Sequence, residues 1–305
     1  MNMTVSDRAA KAPKYTPYVK TPNPFSIGLS AIDPKDWIEP DAELEAFLAE
    51  KDRLCRDTFD AVFQATEGSE AAQRECLDML VDHLLDRHGH IYSREGSVIR
   101  FGNRAVDLDV DQPPLLIAGS LIQDDLAILE RRETGWHLTA GFVAFPSSWS
   151  LREKAGKPME QVHEHVPGFG AGTRNAIMIN RIFDNLQPDL PAVRMNWSIY
   201  PQNDLFWPPE RSALYRDRPF DPASNFIRVE RQSLRRLPKT GGIVFSIRIY
   251  TDPVAVLHTL GDDGRTATIL AERLEGLSPE QLDYKGMTAK RDRLVAYLRS
   301  AAICR

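Results

Sequence analysis

Two pairs of alternating segments, each joined by a short turn, constrain the fold of this chain more than any other feature. Residues 125–145 read DLAILERRETGWHLTAGFVAF, and a Glu-Thr-Gly turn separates their two halves. Residues 226–238 and 243–253 flank a Lys-Thr-Gly-Gly turn in the same way. Alternation of apolar and polar residues on both sides of a glycine-containing turn is typical of a β-hairpin. We therefore predict two antiparallel hairpins.

Amphipathic helical patterns precede and follow these hairpins. Residues 41–57 and 69–89 place apolar residues at helical spacing, and residues 266–302 do so again, with Ser278 and Pro279 as the cap and first residue of one helix. Clustered hairpins, rather than strands alternating with helices, indicate an α+β fold in which an antiparallel sheet packs on helices. His83, His88 and His90 could be read as a metal cluster, but they lie at the charged C-terminal end of the second helix, which favours surface positions.

Charge and cysteine content argue against several classes of protein. The formal net charge of −5 gives no global positive field for a nucleic acid. The three cysteines form no CxxC pair, which argues against a disulfide scaffold and a cysteine-ligated zinc or iron–sulfur site and favours a reducing cytoplasm. No apolar run approaches the length that spans a bilayer. We expect a soluble cytoplasmic protein that binds neither nucleic acid nor membrane.

A candidate metal ligand lies at the end of residues 136–170, where a strand pattern and a short helical pattern lead to His163, Glu164 and His165. Imidazole is the commonest metal ligand in proteins. On a strand the two imidazoles would point to one side and could chelate one metal, whereas on a helix they would diverge by roughly 200°. The preceding helical pattern favours the second case, and hence a single ligand.

The second candidate is an arginine-rich strand at residues 228–238, RVERQSLRRLP. Alternation places Arg228, Glu230, Gln232, Leu234 and Arg236 on one face and Val229, Arg231, Ser233 and Arg235 on the other. Arginines that converge in this way fit an anion clamp, because a guanidinium binds carboxylates bidentately. The alternative is a charged edge strand that resists aggregation. Arg231 and Arg236 face opposite ways unless a bulge intervenes.

An aromatic and amide set forms the third candidate. Its members are Asn196, Trp197, Tyr200, Phe206 and Trp207. Such aromatics are typical of a core, but Trp and Tyr also line pockets for a small ammonium ion through cation–π contact.

Three collinear motifs together resemble the α subunit of the haem-dependent oxidative N-demethylase family. They are FPSSWSLREKAGKPMEQVHEHVPGF, VRMNWSIYPQNDLF and RVERQSLRRLPKTGGIVFSIRIY. The resemblance covers roughly Pro22 to Tyr297 and implies a PAS-like antiparallel sheet with helices packed around it and helical extensions at both ends. The prolines of residues 1–24 predict an extended arm that is too broken for a helix and is either disordered or wrapped over the body or a partner. Residues 25–305 are then expected to form a single haem-binding catalytic domain.

The activity that this resemblance implies is oxidative N-demethylation with haem b as the cofactor. Dioxygen would be used to remove a methyl group from a secondary amine such as dimethylamine, giving methylamine and formaldehyde. Electrons would come from NADPH through a separate reductase subunit that carries flavin and an iron–sulfur cluster in a hetero-oligomeric complex. The sequence itself has neither a dinucleotide fingerprint nor a cysteine set for a cluster, in agreement with this division of labour.

The resemblance also implies roles for individual residues. His163 is the choice for the axial ligand of the haem iron, and His165 is the alternate, because Glu164 and His165 stand where the family pattern has a small residue and a proline. The residues implied for the haem propionates or the pocket wall are Arg194, Arg231, Gln232 and Arg236. Those implied for binding or deprotonating the amine are Glu230, Trp197 and Tyr200.

Three other interpretations remain open at this point. A haem-containing PAS sensor would bind gas or respond to redox state without amine turnover. A non-haem metalloenzyme would use His163 and His165 on a strand, together with a distant carboxylate or His258. A scaffold subunit would use the arginine-rich strand as an interaction edge.

Overall fold

The computed structural model describes residues 12–21, 23–215 and 218–302. Within these ranges, ten strands and twelve α-helices form an α+β structure, which confirms the predicted fold class. Residues 1–11 and 22 of the expected arm, and Cys304, lie outside the described residues. Among the helices described, none combines the length and the apolarity needed to cross a bilayer.

The secondary structure is as follows. The strands are β1 (Ser30–Ala31), β2 (Phe63–Ala65), β3 (Ser93–Glu95), β4 (Val98–Phe101), β5 (Arg104–Asp107), β6 (Asp125–Arg132), β7 (Gly135–Phe142), β8 (Ala192–Tyr200), β9 (Phe226–Arg236) and β10 (Ile243–Pro253). The α-helices are α1 (Pro17–Lys20), α2 (Leu44–Asp57), α3 (Phe59–Val62), α4 (Glu70–Arg87), α5 (Pro114–Gly119), α6 (Leu151–Lys154), α7 (Met159–Val162), α8 (Arg174–Asn185), α9 (Pro209–Leu214), α10 (Arg265–Glu275), α11 (Pro279–Tyr284) and α12 (Arg291–Ser300). Short 3₁₀ helices occupy Pro34–Asp36, Pro222–Ser224 and Val254–His258.

Seven strands form one antiparallel sheet in the order β1-β8-β9-β10-β6-β7-β2, and β3, β4 and β5 form a small second sheet. Both predicted hairpins are confirmed, because β6 pairs with β7 and β9 pairs with β10. Gly135 and Gly241, with φ values of 122° and 74°, supply the positive φ that these turns require. The pairing of β9 with both neighbours is continuous, so its side chains alternate along its whole length.

The large sheet is covered on both faces. One face packs on α6, α7 and α8 through a cluster of buried apolar side chains that includes Leu138, Met159, Phe183 and Leu234. The opposite face packs on α2, α4 and α5 at one end and on α10 to α12 at the other. We call these the α8 face and the α4 face. The caps reinforce this packing, and Ser278 forms the predicted cap of α11 as a full capping box with Gln281.

Two local predictions were wrong. The prolines of the arm were expected to prevent a helix, but Pro17 opens α1, since the first helical position needs no N–H donor. This described part of the arm packs on the body, where Tyr18 is fully buried and its carbonyl accepts a hydrogen bond from Arg273 Nε at 3.1 Å. His83 was expected at the surface, but it is buried with its ring centroid 5.3 Å from that of Trp37.

One buried cation stabilises the junction between α2 and the sheet. Lys51 is 1 % exposed, and its Nζ donates to the carbonyl oxygens of Gly119, Ile122 and Asp124 at 3.0, 3.0 and 2.5 Å. Burial lowers the pKa of Lys51 to about 8. The ammonium group therefore ties α2 to the segment that leads from α5 into β6.

Candidate functional site

The register of β8 and β9 brings four polar side chains together on the α8 face. Arg194 lies opposite Gln232, and Asn196 lies opposite Glu230. Directly paired residues of an antiparallel sheet project to the same side. Asn196 Nδ2 and Gln232 Nε2 both donate to Oε2 of Glu230, at 3.1 and 2.7 Å. Two amide donors therefore hold the Glu230 carboxylate in place.

His163 approaches this face from the end of α7. An isolated bridge between His137 and Pro158 fixes the start of the helix on β7, and the backbone N–H of His163 donates to the carbonyl of Met159 at 3.0 Å. The imidazole lies against the ring of Phe169, with centroids 6.2 Å apart. Burial lowers the pKa of His163 to about 4, and the charges of Lys154 and Arg194 contribute in the same direction. The imidazole is therefore neutral at pH 7.

The charge of Glu230 acts on three basic groups. The pKa of the Arg194 guanidinium is lowered by burial and raised by Glu230, and its Nε is buried with no hydrogen-bond partner. Burial lowers the pKa of Lys154 and of Lys285 to about 8, and Glu230 opposes the shift in both. Lys285 Nζ donates to the carbonyl of Trp197 at 2.6 Å. The site therefore contains a neutral imidazole, one carboxylate and three basic groups, and charges within it affect the pKa values of the imidazole and of the basic groups.

Tyr200 and Arg228 continue the same face. Arg228 is buried and donates to Ser147 Oγ at 2.9 Å and to backbone carbonyls that include that of Phe145, also at 2.9 Å. The Tyr200 hydroxyl shares a hydrogen bond of 2.9 Å with Ser148 Oγ, which shares one of 2.7 Å with Ser212 Oγ. Ser148 has a φ of 63°, a region that side-chain-bearing residues rarely adopt. A chain of hydroxyls thus leads from buried Tyr200 to exposed Ser148.

Four of the residues singled out from the sequence do not join this group. Trp197 and Arg231 project to the α4 face, where Arg231 donates to the carbonyl of Trp37 at 2.9 Å and pairs with Glu39 at 3.0 Å. Arg236 shares the α8 face but is bonded to the carbonyl of Phe183 at 2.7 Å. His165 is exposed. The alternation thus separates Arg231 from Arg236, as the sequence predicted for a strand without a bulge.

The structure adds Lys154 and Lys285 to the site, which sequence reasoning did not identify. They come from the end of α6 and from the residue after α11, and nothing in their local sequence distinguishes them from surface lysines. His163 and His165 lie in the turn that follows α7, and not on the strand that the non-haem interpretation required. Within residues 12–21, 23–215 and 218–302, no group of three or more His, Cys, Asp or Glu side chains is placed to hold a metal ion.

Two cavities of about 370 and 500 Å³ lie elsewhere, on the α4 face. The first includes Arg231, Glu39 and His88 in its wall, and the second includes His83 and Arg235. Neither is lined by His163. The geometry of the donors, rather than cavity size, identifies the cluster around Glu230 as the candidate site.

Comparison with known families gives one match over most of the chain. A family model described as haem-dependent oxidative N-demethylase, alpha subunit-like, matches residues 28–295 of the 305. All the residues of the candidate site fall within that range.

Proposed function

The chain belongs to the haem-dependent oxidative N-demethylase, alpha subunit-like family, and from that premise we propose that it is the haem-binding subunit of a monooxygenase acting on a secondary amine. Dimethylamine is the simplest such substrate, and its products would be methylamine and formaldehyde. The observation that carries the proposal is a neutral His163 within electrostatic range of Arg194, which lies on the same face of the sheet as Glu230.

The residues of the site fit haem b. A neutral imidazole has a free lone pair for iron at pH 7, and His163 is neutral because its pKa is about 4. Propionates need cations, and the buried, unpartnered Nε of Arg194 is such a donor, with Lys154 and Lys285 nearby. When bound, haem would supply the oxygen activation and electron transfer that oxidation of an N-methyl group needs.

Glu230 is the group that we assign to the substrate. A secondary amine is protonated at pH 7, as a lysine side chain is, so it enters as a cation. The Glu230 carboxylate, oriented by Asn196 and Gln232, can accept a hydrogen bond from the N–H of that cation. Lys154 and Lys285, with pKa values of about 8, can exchange a proton close to neutral pH. We propose that Glu230 binds the ammonium form of the amine and that Lys154 and Lys285 help to remove the proton of the amine.

Tyr200 is assigned to proton transfer rather than to substrate binding. Its hydroxyl is linked through Ser148 Oγ to Ser212 Oγ, and Ser148 is exposed. Hydroxyl groups in such a chain can pass a proton because each one both donates and accepts. This series of hydrogen-bonded hydroxyl groups therefore supports a path for protons between the buried site and solvent.

The remaining parts of the proposal concern partners and organisation. The words "alpha subunit" in the family description support assembly with a further subunit, to which we assign the NADPH, flavin and iron–sulfur functions. The unpaired cysteines Cys55 and Cys76 support a reducing compartment such as the cytoplasm. We further propose that residues 25–305 form a single PAS-like haem domain and that the arm is residues 1–24.

The test is the visible absorption spectrum of the purified chain reconstituted with haem, before and after dithionite and carbon monoxide. We expect a Soret band that shifts on reduction. His163→Ala should lose or alter this band, whereas His165→Ala, a matched change two residues away at an exposed position, should leave it unchanged. Formaldehyde release from dimethylamine, with the reductase subunit or a chemical reductant, then measures turnover.

Each outcome decides between interpretations. Absence of a Soret band after reconstitution would contradict the haem assignment. A normal band without formaldehyde release from any secondary amine would favour the sensor. A band lost in His165→Ala and kept in His163→Ala would reverse the assignment of the ligand.

A further inference from the structure

The cavity of about 500 Å³ on the α4 face has the features of a binding site that the proposed function does not use. It lies between the 3₁₀ turn at residues 34–36, one side of α4 and the end of β9. Arg235 projects to the face opposite Glu230, so the sheet separates this cavity from the face that presents Glu230. Its volume falls within the range of pockets for small molecules, about 300–1,000 Å³.

Buried nitrogen atoms without partners line the inner wall of this cavity. His83 is 8 % exposed, and its Nε2 has no hydrogen-bond partner among the described residues. Nε and Nη1 of Arg235 are also buried and unpartnered, although its guanidinium carbon lies 4.6 Å from the ring centroid of Trp37. A buried polar group without a partner is energetically unfavourable, so these atoms favour a ligand that can bond to them. Burial keeps His83 neutral, with a pKa of about 3, so its ring can donate one N–H.

The charged groups at the mouth of the cavity divide into paired and unpaired sets. Lys35 is paired with Asp33 at 3.0 Å, and Glu75 accepts the backbone N–H groups of Lys239 and Thr240. Among the described residues, no hydrogen bond or ion pair engages the carboxylates of Asp78 and Asp82, which lie one turn apart on α4. Arg87 is paired with Asp86 at 2.9 Å. The inner wall therefore carries the cation of Arg235, and the mouth carries the carboxylates of Asp78 and Asp82 beside the ammonium group of Lys239, which also has no side-chain partner among the described residues.

We propose that this cavity binds a small zwitterion of the amino-acid type, with its carboxylate on Arg235 and His83 and its ammonium group on Asp78 and Asp82. A purely anionic ligand would leave the carboxylates of Asp78 and Asp82 without a cationic partner. A purely cationic ligand would leave the buried nitrogen atoms of Arg235 and His83 unsatisfied. Only a molecule that carries both charges satisfies the inner wall and the mouth together.

The test is titration of the full chain with ω-amino acids of increasing length, namely glycine, 4-aminobutyrate and 6-aminohexanoate, with butyrate and butylamine as single-charge probes. The readout is the indole N–H resonance of Trp37 in a ¹⁵N–¹H spectrum, assigned with Trp37→Phe. We expect one amino acid to shift this resonance saturably. Arg235→Gln and Asp82→Asn should each weaken binding about tenfold or more, since each removes a charged partner.

Matched controls are Arg293→Gln and Asp60→Asn, which change exposed residues outside the cavity wall and should leave binding unchanged. Absence of a shift with every probe would mean that water alone satisfies these groups, and would overturn the proposal. Binding of butyrate or butylamine as tight as that of the best amino acid would also overturn it. Because the readout uses neither haem nor turnover, the result is independent of the proposed function.

Discussion

Asn196 lies directly opposite Glu230 in the pairing of β8 with β9, and its Nδ2 donates to Oε2 of that carboxylate at 3.1 Å. Gln232, the next residue on the same face of β9, donates to the same oxygen. Two neutral amides thus orient the carboxylate without neutralising it, and its charge remains available to Arg194, Lys154 and Lys285. The orientation of this carboxylate therefore depends on one pair of strands.

Replacing Glu230 with Gln should lower the pKa of Lys154 and of Lys285 below about 8, because Glu230 favours the charged form of both lysines. The measurement is NMR of labelled lysine side chains as the pH is varied. Glu153→Gln is the matched control, since Glu153 favours the charged form of Lys154 and is not among the groups acting on Lys285. An unchanged pKa of Lys285 in Glu230→Gln would contradict this description of the site.

Trp197→Ala should reduce stability rather than substrate binding. Trp197 is 1 % exposed on the α4 face, where its ring packs against Tyr18 at 5.9 Å between centroids. Truncation of a buried Trp to Ala costs about 3–5 kcal/mol. Urea unfolding measures this loss, and the haem spectrum of the folded fraction should match that of the wild type. Wild-type stability combined with lost amine binding would instead restore Trp197 to the site.

The unfolding free energy should fall with decreasing pH partly because of His83. Its pKa is about 3 in the folded chain and 6.5 as an unperturbed group, so the unfolded state binds more protons between these values. Stability from this residue is present above pH 6.5 and falls by about 3 kcal/mol between pH 6.5 and 4. Urea titrations at both pH values should show a smaller decrease for His83→Gln than for the wild type. His90→Gln, at an exposed histidine, should retain the wild-type decrease.

Lys51→Met should destabilise the fold by about 3 kcal/mol, because the carbonyls of Gly119, Ile122 and Asp124 lose a shared buried donor. The measurement is the free energy of unfolding in urea. Lys20→Met, at an exposed lysine, should change it by less than about 0.5 kcal/mol. Equal values for the two variants would show that these carbonyls do not depend on Lys51.

The hairpins and the faces of their side chains were predictable because a period of two along β9 fixes which residues share a side. The cap at Ser278 was predictable for a similarly local reason. The full composition of the site was not, because only the packing of distant helices brings Lys154 and Lys285 within electrostatic range of Glu230. The burial of His83 was missed for the same reason, since the cover over it comes from Trp37, far from it in sequence.

The order of strands in the large sheet has a consequence for synthesis on the ribosome. β1 and β2 are made first, yet they are the outermost strands, and they pair with β8 and β7, which are made later. Tyr18 can form its native contact only later still, because its carbonyl accepts a hydrogen bond from Arg273 on α10. The local hairpins can form as they emerge, whereas β2 can pair only after β7 is made and β1 only after β8 is made. The segment around Tyr18 is therefore made early but is among the last to reach its native position.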